Sequence, residues 1–249
     1  MIKKIFLLFL LTLFLVNCKK ELRDADKIVR ESIHVSGGDV IKNAAIGFEF
    51  RGKHYTASRH QGAFSLSRLT INASDSIYDI LTNNGFSRFI NGDKIILEDS
   101  MASKYSASVN SVHYFSVLPY GLNNRAVKKT YLEKSKVKGK TYYKIKVTFN
   151  EEGGGEDFED VFIYWINIET SKVDYLAYSY KEDNDLGFRF REAYNERYIE
   201  GIRFVDYNNY KPKADNAVLE TLGIQFENGE LELLSQIELE NILVSINTN

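Results

Sequence analysis

Cys18 follows Leu15-Val16-Asn17 at the end of an almost unbroken apolar run from Ile5 to Val16, which Lys3 and Lys4 precede. A basic start, a short apolar stretch and a cysteine at its end form the pattern of a secretory signal, and Leu15 to Cys18 resembles the lipobox of exported lipoproteins. The stretch is shorter than the ~20 apolar residues that a spanning helix needs. On this reading residues 1–17 are removed and the Cys18 thiol takes a diacylglyceryl thioether. The new amino terminus takes a further chain, and several chains anchor stably where one binds marginally. Cys18 is the one cysteine in 249 residues, so lipidation leaves no thiol for a disulfide, a thiolate metal site or a nucleophile.

The other reactive side chains form no recognisable constellation. His54 and His60 stand six residues apart on one predicted strand, roughly 20 Å at ~3.3 Å per residue, too far to share a metal. With His34 and His113 they read as surface or polar-rim histidines. Asp183-Asn184-Asp185-Leu186-Gly187 begins like a calcium loop, but Gly187 and Tyr194 occupy positions where an EF-hand needs ligands. The carboxylates between Glu151 and Asp160 surround three glycines and read as the solvated charge of a hairpin. No metal and no cofactor is expected. There is no nucleophile elbow, phosphate-cradling loop or dinucleotide fingerprint. Lys144 and Lys146 fall on the polar face of a strand, a poor place to depress an amine. No catalytic residue is assigned, although paired carboxylates for glycoside hydrolysis depend on three-dimensional spacing that a sequence does not display.

The 16 tyrosines, 16 phenylalanines and single tryptophan carry the remaining signal. Most suit the interior of a β-sheet. A sharper reading gathers Tyr143, Phe162, Tyr164, Trp165, Tyr178, Phe188 and Phe190 around an apolar cavity. Arg189 and Arg191 alternate with Phe188 and Phe190, so they point to the opposite face. If that face is concave, the two arginines would hold an anionic head group or carboxylate.

These residues need a β framework, and the sequence supplies one. A charged tether, 18–25, leads into a first helix over 26–35 that Gly37-Gly38 stops. From Ala45 the pattern has period two: Ile46, Phe48 and Phe50 alternate with Gly47, Glu49 and Arg51, and Asn91-Gly92 marks a tight hairpin. Met101 to Leu118 reads as a central helix ended by Pro119, with a short helical piece over Ala126 to Leu132. Lys140 to Phe149 then alternates Tyr143, Ile145, Val147 and Phe149 with lysines and threonine, one face buried and one wet. Val161 to Ile166 is apolar on both faces. Strands over Lys172–Tyr180, Gly187–Tyr194, Tyr198–Tyr210 and Glu232–Ser245 follow, with a helix near Ala217–Gln225. The expected fold is mainly β (α+β): one domain over 26–249, a large curved antiparallel sheet or incomplete barrel, with the central helix against its concave face.

The whole chain carries a net charge of −2, and losing Lys3 and Lys4 makes it more acidic. That argues against nucleic acid as a partner. No basic cluster is long enough to grip anionic lipid heads, so the membrane is engaged through the lipid on Cys18. Lys19 after the cysteine, by analogy with enterobacterial sorting, points to the outer membrane, with the periplasmic or surface face undecided.

The chain resembles a family of uncharacterised lipoproteins common in Bacteroidota. The likeness runs through the first helix with His34 and Gly37-Gly38, Lys53-His54-Tyr55-Thr56, Leu118-Pro119-Tyr120-Gly121-Leu122, Lys144 to Phe149, and Phe190-Arg191-Glu192-Ala193-Tyr194-Asn195. It departs where Val35-Ser36 separates His34 from the glycines. The layout is similar to the lipoprotein-carrier half-barrel of LolA and LolB, at the level of fold only. That resemblance implies a non-enzymatic protein binding a lipid or other hydrophobic molecule in the sheet's concavity. Two other readings are an envelope scaffold with a filled core, and a carbohydrate- or ester-active enzyme with reactive groups converging in a cleft. No protein partner is named by the sequence.

Overall fold

A computed structural model describes residues 25–155, 158–182 and 185–246. The signal segment 1–17, Cys18 and the tether expected from the sequence lie, up to residue 24, outside the described residues. So do Glu156, Asp157, Asp183 and Asn184 of the two acidic loops.

The chain is mostly β. Helix α1 (25–35) and the short α2 (Gly38–Ile41) lead into β1 (Ala44–Phe50), β2 (Lys53–His60), β3 (Ala63–Ile71), β4 (Ser76–Thr82), β5 (Gly85–Ile90) and β6 (Asp93–Ile95). Helix α3 (Asp99–Ser116) interrupts the meander, and β7 (Val127–Val137), β8 (Lys140–Phe149), β9 (Val161–Asn167), β10 (Val173–Glu182), β11 (Asp185–Ile199) and β12 (Ile202–Pro212) follow. Helix α4 (Leu222–Glu227) precedes β13 (Leu231–Ile237) and β14 (Glu240–Ile246). Arg51-Gly52, Asn91-Gly92 and Glu200-Gly201 all have positive φ at both positions, the geometry whose twist matches a two-residue hairpin.

The strands form two antiparallel seven-stranded sheets, ordered β14-β1-β2-β3-β4-β5-β6 and β13-β12-β11-β10-β9-β8-β7. Consecutive strands β13 and β14 sit on neighbouring edges and turn the corner between the sheets. At the other side β6 and β7 are linked only through α3, so the curved meander is not closed into a barrel. The stretch Glu232–Ser245, read as one strand, is therefore two, because the chain changes sheets near residue 238. Tyr198–Tyr210 likewise contains the turn between β11 and β12. Ala126–Leu132 is not helical: Val127 to Val137 pairs along β8 with one register shift between Tyr131 and Glu133, and a long ladder outweighs weak local preference.

Helix α3 packs on β3, β4 and β5. Its buried stripe is narrow, Val109, His113 and Ser116, and a polar ladder completes the attachment. Arg68, Asp79 and Arg88 are cross-strand partners on β3, β4 and β5. Asp79 is buried and accepts from Arg68 Nη2 at 2.7 Å and from Arg88 Nε at 2.6 Å. Arg68 Nη1 donates to Ser108 Oγ at 2.8 Å, and the Arg88 guanidinium lies 3.4 Å from the Tyr105 ring centre. Both contacts land on α3. His113 is not a rim histidine: it is 1% exposed, edge-on to the stacked pair Phe48 and Tyr55.

The second sheet is covered on both faces. Its inner face meets α1, where Ala25 and Val29 are buried with Leu118, Leu122 and Ile145. Its outer face carries Trp165, Tyr175 and Phe190 against Leu219 and Leu222. The fit is close at Gly223, where an added Cβ would come within 2.8 Å of Trp165 Cζ2. The face of Lys144 is consequently not wet. Lys144 is buried and donates to the Glu220 carbonyl at 2.7 Å and to Glu133 Oε1 at 3.1 Å.

Candidate functional site

Between α3 and the inner face of the second sheet lies a cavity of about 1060 Å³, at the upper end of the range for small-molecule sites. Val112 and Phe115 contribute from α3, Phe162, Tyr178 and Tyr207 from the second sheet, and Phe64 and Leu81 from the first. Arg51, Asn110, Asn124 and Gly153, all exposed, stand at its mouth. The aromatic wall is a connected set of rings: Phe162 stacks on Tyr178 at 5.3 Å between centroids, and Phe115 lies 5.5 Å from Tyr178. Such contacts hold the wall in place and leave the hollow beside it unfilled.

The alternation of β11 puts Arg189 and Arg191 on the cavity side, with Tyr207 and Asn209 of β12 beside them. Arg191 is only 8% exposed. Its Nη2 donates to the Tyr178 hydroxyl at 2.9 Å, and its guanidinium carbon lies 3.8 Å from the Phe115 ring centre. Its Nε has no hydrogen-bond partner. Among the described residues no carboxylate lies within ion-pair distance of Arg191. Arg189 is held differently, donating to the Phe188 carbonyl at 2.8 Å beside the Tyr180 ring. Burial raises the pKa of Tyr114, Tyr164 and Tyr207 above the ordinary value, so these hydroxyls stay protonated.

Of the residues singled out from the sequence, Phe162, Tyr178, Arg189 and Arg191 line the cavity. Tyr164 shares their face but is fully buried below it, its hydroxyl 2.9 Å from that of Tyr114. Tyr143 packs beside the inner core against Tyr131. Trp165, Phe188 and Phe190 belong to the opposite face, in the cluster under α4. The correction has a simple cause: Tyr164 and Trp165 are adjacent on one strand, and adjacent side chains take opposite faces. The sequence pointed to neither Phe115 nor Asn209. The signal for the second was Asp206, Asn208 and Asn209 in the middle of a strand, polar residues where a buried strand seldom carries them.

The remaining chemistry stays dispersed. Asp160 is the one carboxylate of the lining among the described residues, and these contain no group of three His, Cys, Asp or Glu side chains able to hold a metal. None of their helices is long and apolar enough to cross a membrane.

No curated protein matches the chain. Among solved structures it is similar to a LolA superfamily protein from Nitrosomonas europaea, with 12% identity, a TM-score of 0.47, and 88% of this chain and 92% of that one covered. It is also similar to a DUF1329 family protein from Desulfovibrio piger, with 12% identity, a TM-score of 0.41, and 90% and 95% covered. The sequence model of DUF6503, a family of unknown function, matches residues 3–239, and the chain belongs to that family.

Proposed function

We propose that this domain is a binding protein for a single amphiphile, whose apolar body fills the cavity beneath α3 and whose anionic head lies against Arg191. The observation that carries the reading is Arg191 itself. An ionised group taken out of water without a counter-charge costs several kcal/mol. Retaining it in the wall of a large hollow makes sense if a ligand brings the missing charge. The hollow also speaks against the scaffold reading, which needs a filled core. The test is titration of the purified protein with a fluorescent fatty acid and with its methyl ester. The acid binds with one-to-one stoichiometry and the ester at least about ten-fold more weakly, the effect of one charge-assisted hydrogen bond. Equal affinity for the two would refute the role of Arg191.

Lipidation of Cys18 then holds the domain at the outer membrane, where amphiphiles are at hand. Metabolic labelling with an alkyne fatty acid checks this: the wild-type protein is labelled and Cys18→Ser is not. Labelling of both proteins alike would contradict the anchor.

A further inference from the structure

Helix α1 begins at the rim of the cavity. Ala25 is fully buried in one cluster with Leu118 and Leu122, and Asp26 is clamped beside it. Its Oδ1 lies 2.8 Å from Lys129 Nζ, which also donates to the Leu122 carbonyl and to Asn123 Oδ1, each at 3.2 Å. Those groups belong to the turn at the mouth, because Gly121, Asn124, Ala126 and Val127 line the cavity on either side of them. The helix then runs away from the mouth, and its far end meets β11, where the Tyr198 hydroxyl donates to the Val35 carbonyl at 3.2 Å. Cys18 and Ala25 are seven peptide steps apart (25 − 18 = 7), a stretch that reaches ~25 Å at most. A domain of this length is roughly 45 Å across. A tether rising from the opposite pole would leave the mouth beyond reach of the bilayer, whereas one rising at the rim keeps it near.

Resting on the two readings above, a lipid on Cys18 and an amphiphile in the cavity, we infer that the mouth is the face presented to the bilayer that holds the anchor, and that the cavity exchanges its ligand with that bilayer directly. The partner is a lipid surface, and the tether selects it by reach. Charge does not select it: Arg51 and Arg125 near the mouth are offset by Glu151 and Glu152, all four exposed. These carboxylates precede Gly153, whose added Cβ would lie 3.5 Å from that of Ala126. A short link turns the meeting of mouth and membrane into an intramolecular event, at an effective concentration that falls steeply as the link lengthens. Tether length therefore controls the rate of loading and leaves the affinity of the loaded cavity alone.

The experiment places the full-length lipidated protein in phosphatidylcholine vesicles that carry a fluorescent fatty acid and a quencher lipid, and follows loading as release from quenching. Insertion of about 40 Gly and Ser residues after Lys20, a flexible link, leaves 21–24 ahead of Ala25. It slows loading at least about five-fold, since effective concentration falls roughly as the −3/2 power of link length. Affinity in solution, measured on the Cys18→Ser forms of both proteins, stays within two-fold. A second measurement needs no insertion. A thiol dye on Asn124→Cys, at the mouth, transfers energy to a head-group-labelled lipid more efficiently than one on Glu200→Cys, which lies roughly 30 Å from Arg191 along β11 at ~3.3 Å per residue. Equal loading rates with the two tethers, or transfer from Glu200→Cys as strong as from Asn124→Cys, overturns the inference and leaves the amphiphile reading standing. A fatty acid that binds neither Cys18→Ser form overturns both. Wild-type protein without a lipid on Cys18 overturns the anchor and this inference with it. If the insertion does not fold, the dye measurement decides the matter alone.

Discussion

The guanidinium of Arg191 on β11 lies 3.8 Å from the ring centre of Phe115 on α3, so the charged residue of the cavity and the helix that roofs it meet face to face. A cation over a desolvated aromatic ring is worth up to about 2 kcal/mol, less than the charge loses by leaving water. Arg191→Met should therefore leave stability unchanged or raise it by up to about 2 kcal/mol, while ligand affinity falls at least ten-fold. Urea unfolding and ligand titration on the same preparation check the two halves. A large loss of stability would mean that Arg191 is structural.

The attachment of α3 predicts a cost elsewhere. Burial alone would raise the pKa of Asp79, but hydrogen bonds and charge from Arg88 and Arg68 outweigh it and hold the carboxyl below its ordinary value. A depressed carboxylate stabilises the fold above its unfolded pKa, and this stability is lost as pH falls through the folded value. The loss should therefore lie below about pH 4. Asp79→Asn should cost about 3–5 kcal/mol at neutral pH by leaving two guanidinium groups without their partner. Denaturant melts of both proteins would show this, and a cost under 1 kcal/mol would count against the ladder as the anchor of α3.

His113 governs a different range. Its Nε2 donates to the Ser67 carbonyl at 2.9 Å, and burial drives its pKa down from 6.5 to about 4 despite that bond, with Arg59 adding to the fall. The unfolded chain then binds the proton that the folded one refuses, so stability falls as pH drops from about 6.5 toward 4, by about 3 kcal/mol in total. His113→Gln, which can still donate to Ser67, should flatten that slope. Unfolding free energies measured between pH 7 and 4.5 decide it. Parallel slopes in the two proteins would show that another group is responsible.

On the outer face, Gly223→Ala would drive a methyl group into Trp165. Overpacking of this kind costs roughly 1–3 kcal/mol. Ligand affinity should stay within two-fold, because that contact is separated from the cavity by the sheet. Circular dichroism melts and the titration together test whether the two faces are independent.

Period-two alternation and X-Gly turns made the strands and their antiparallel pairing legible in the sequence, and Pro119 marked the end of α3. What alternation does not reveal is which face of a strand apolar on both sides looks inward. Trp165 and Phe162 were thus read as neighbours in one cavity when β9 sends them to opposite faces. The same limit hid the burial of Lys144, because its cover comes from residues near Glu220, far along the chain. His113 escaped for a related reason: its pocket is made by Phe48 and Tyr55 from β1 and β2, and no spacing within α3 foretells them. The parity of Arg189 and Arg191 was readable from the alternation. That their face is the concave one follows only from the way the meander curls around α3.

Mass spectrometry of the molecules that co-purify with the protein from its own cell envelope tests the central claim most directly. The account predicts a single class of anionic amphiphile, near one molecule per chain, carried by the wild type and lost from a folded Arg191→Met variant. Wild-type protein that carries no amphiphile, or the same lipids carried equally by both proteins, would contradict it.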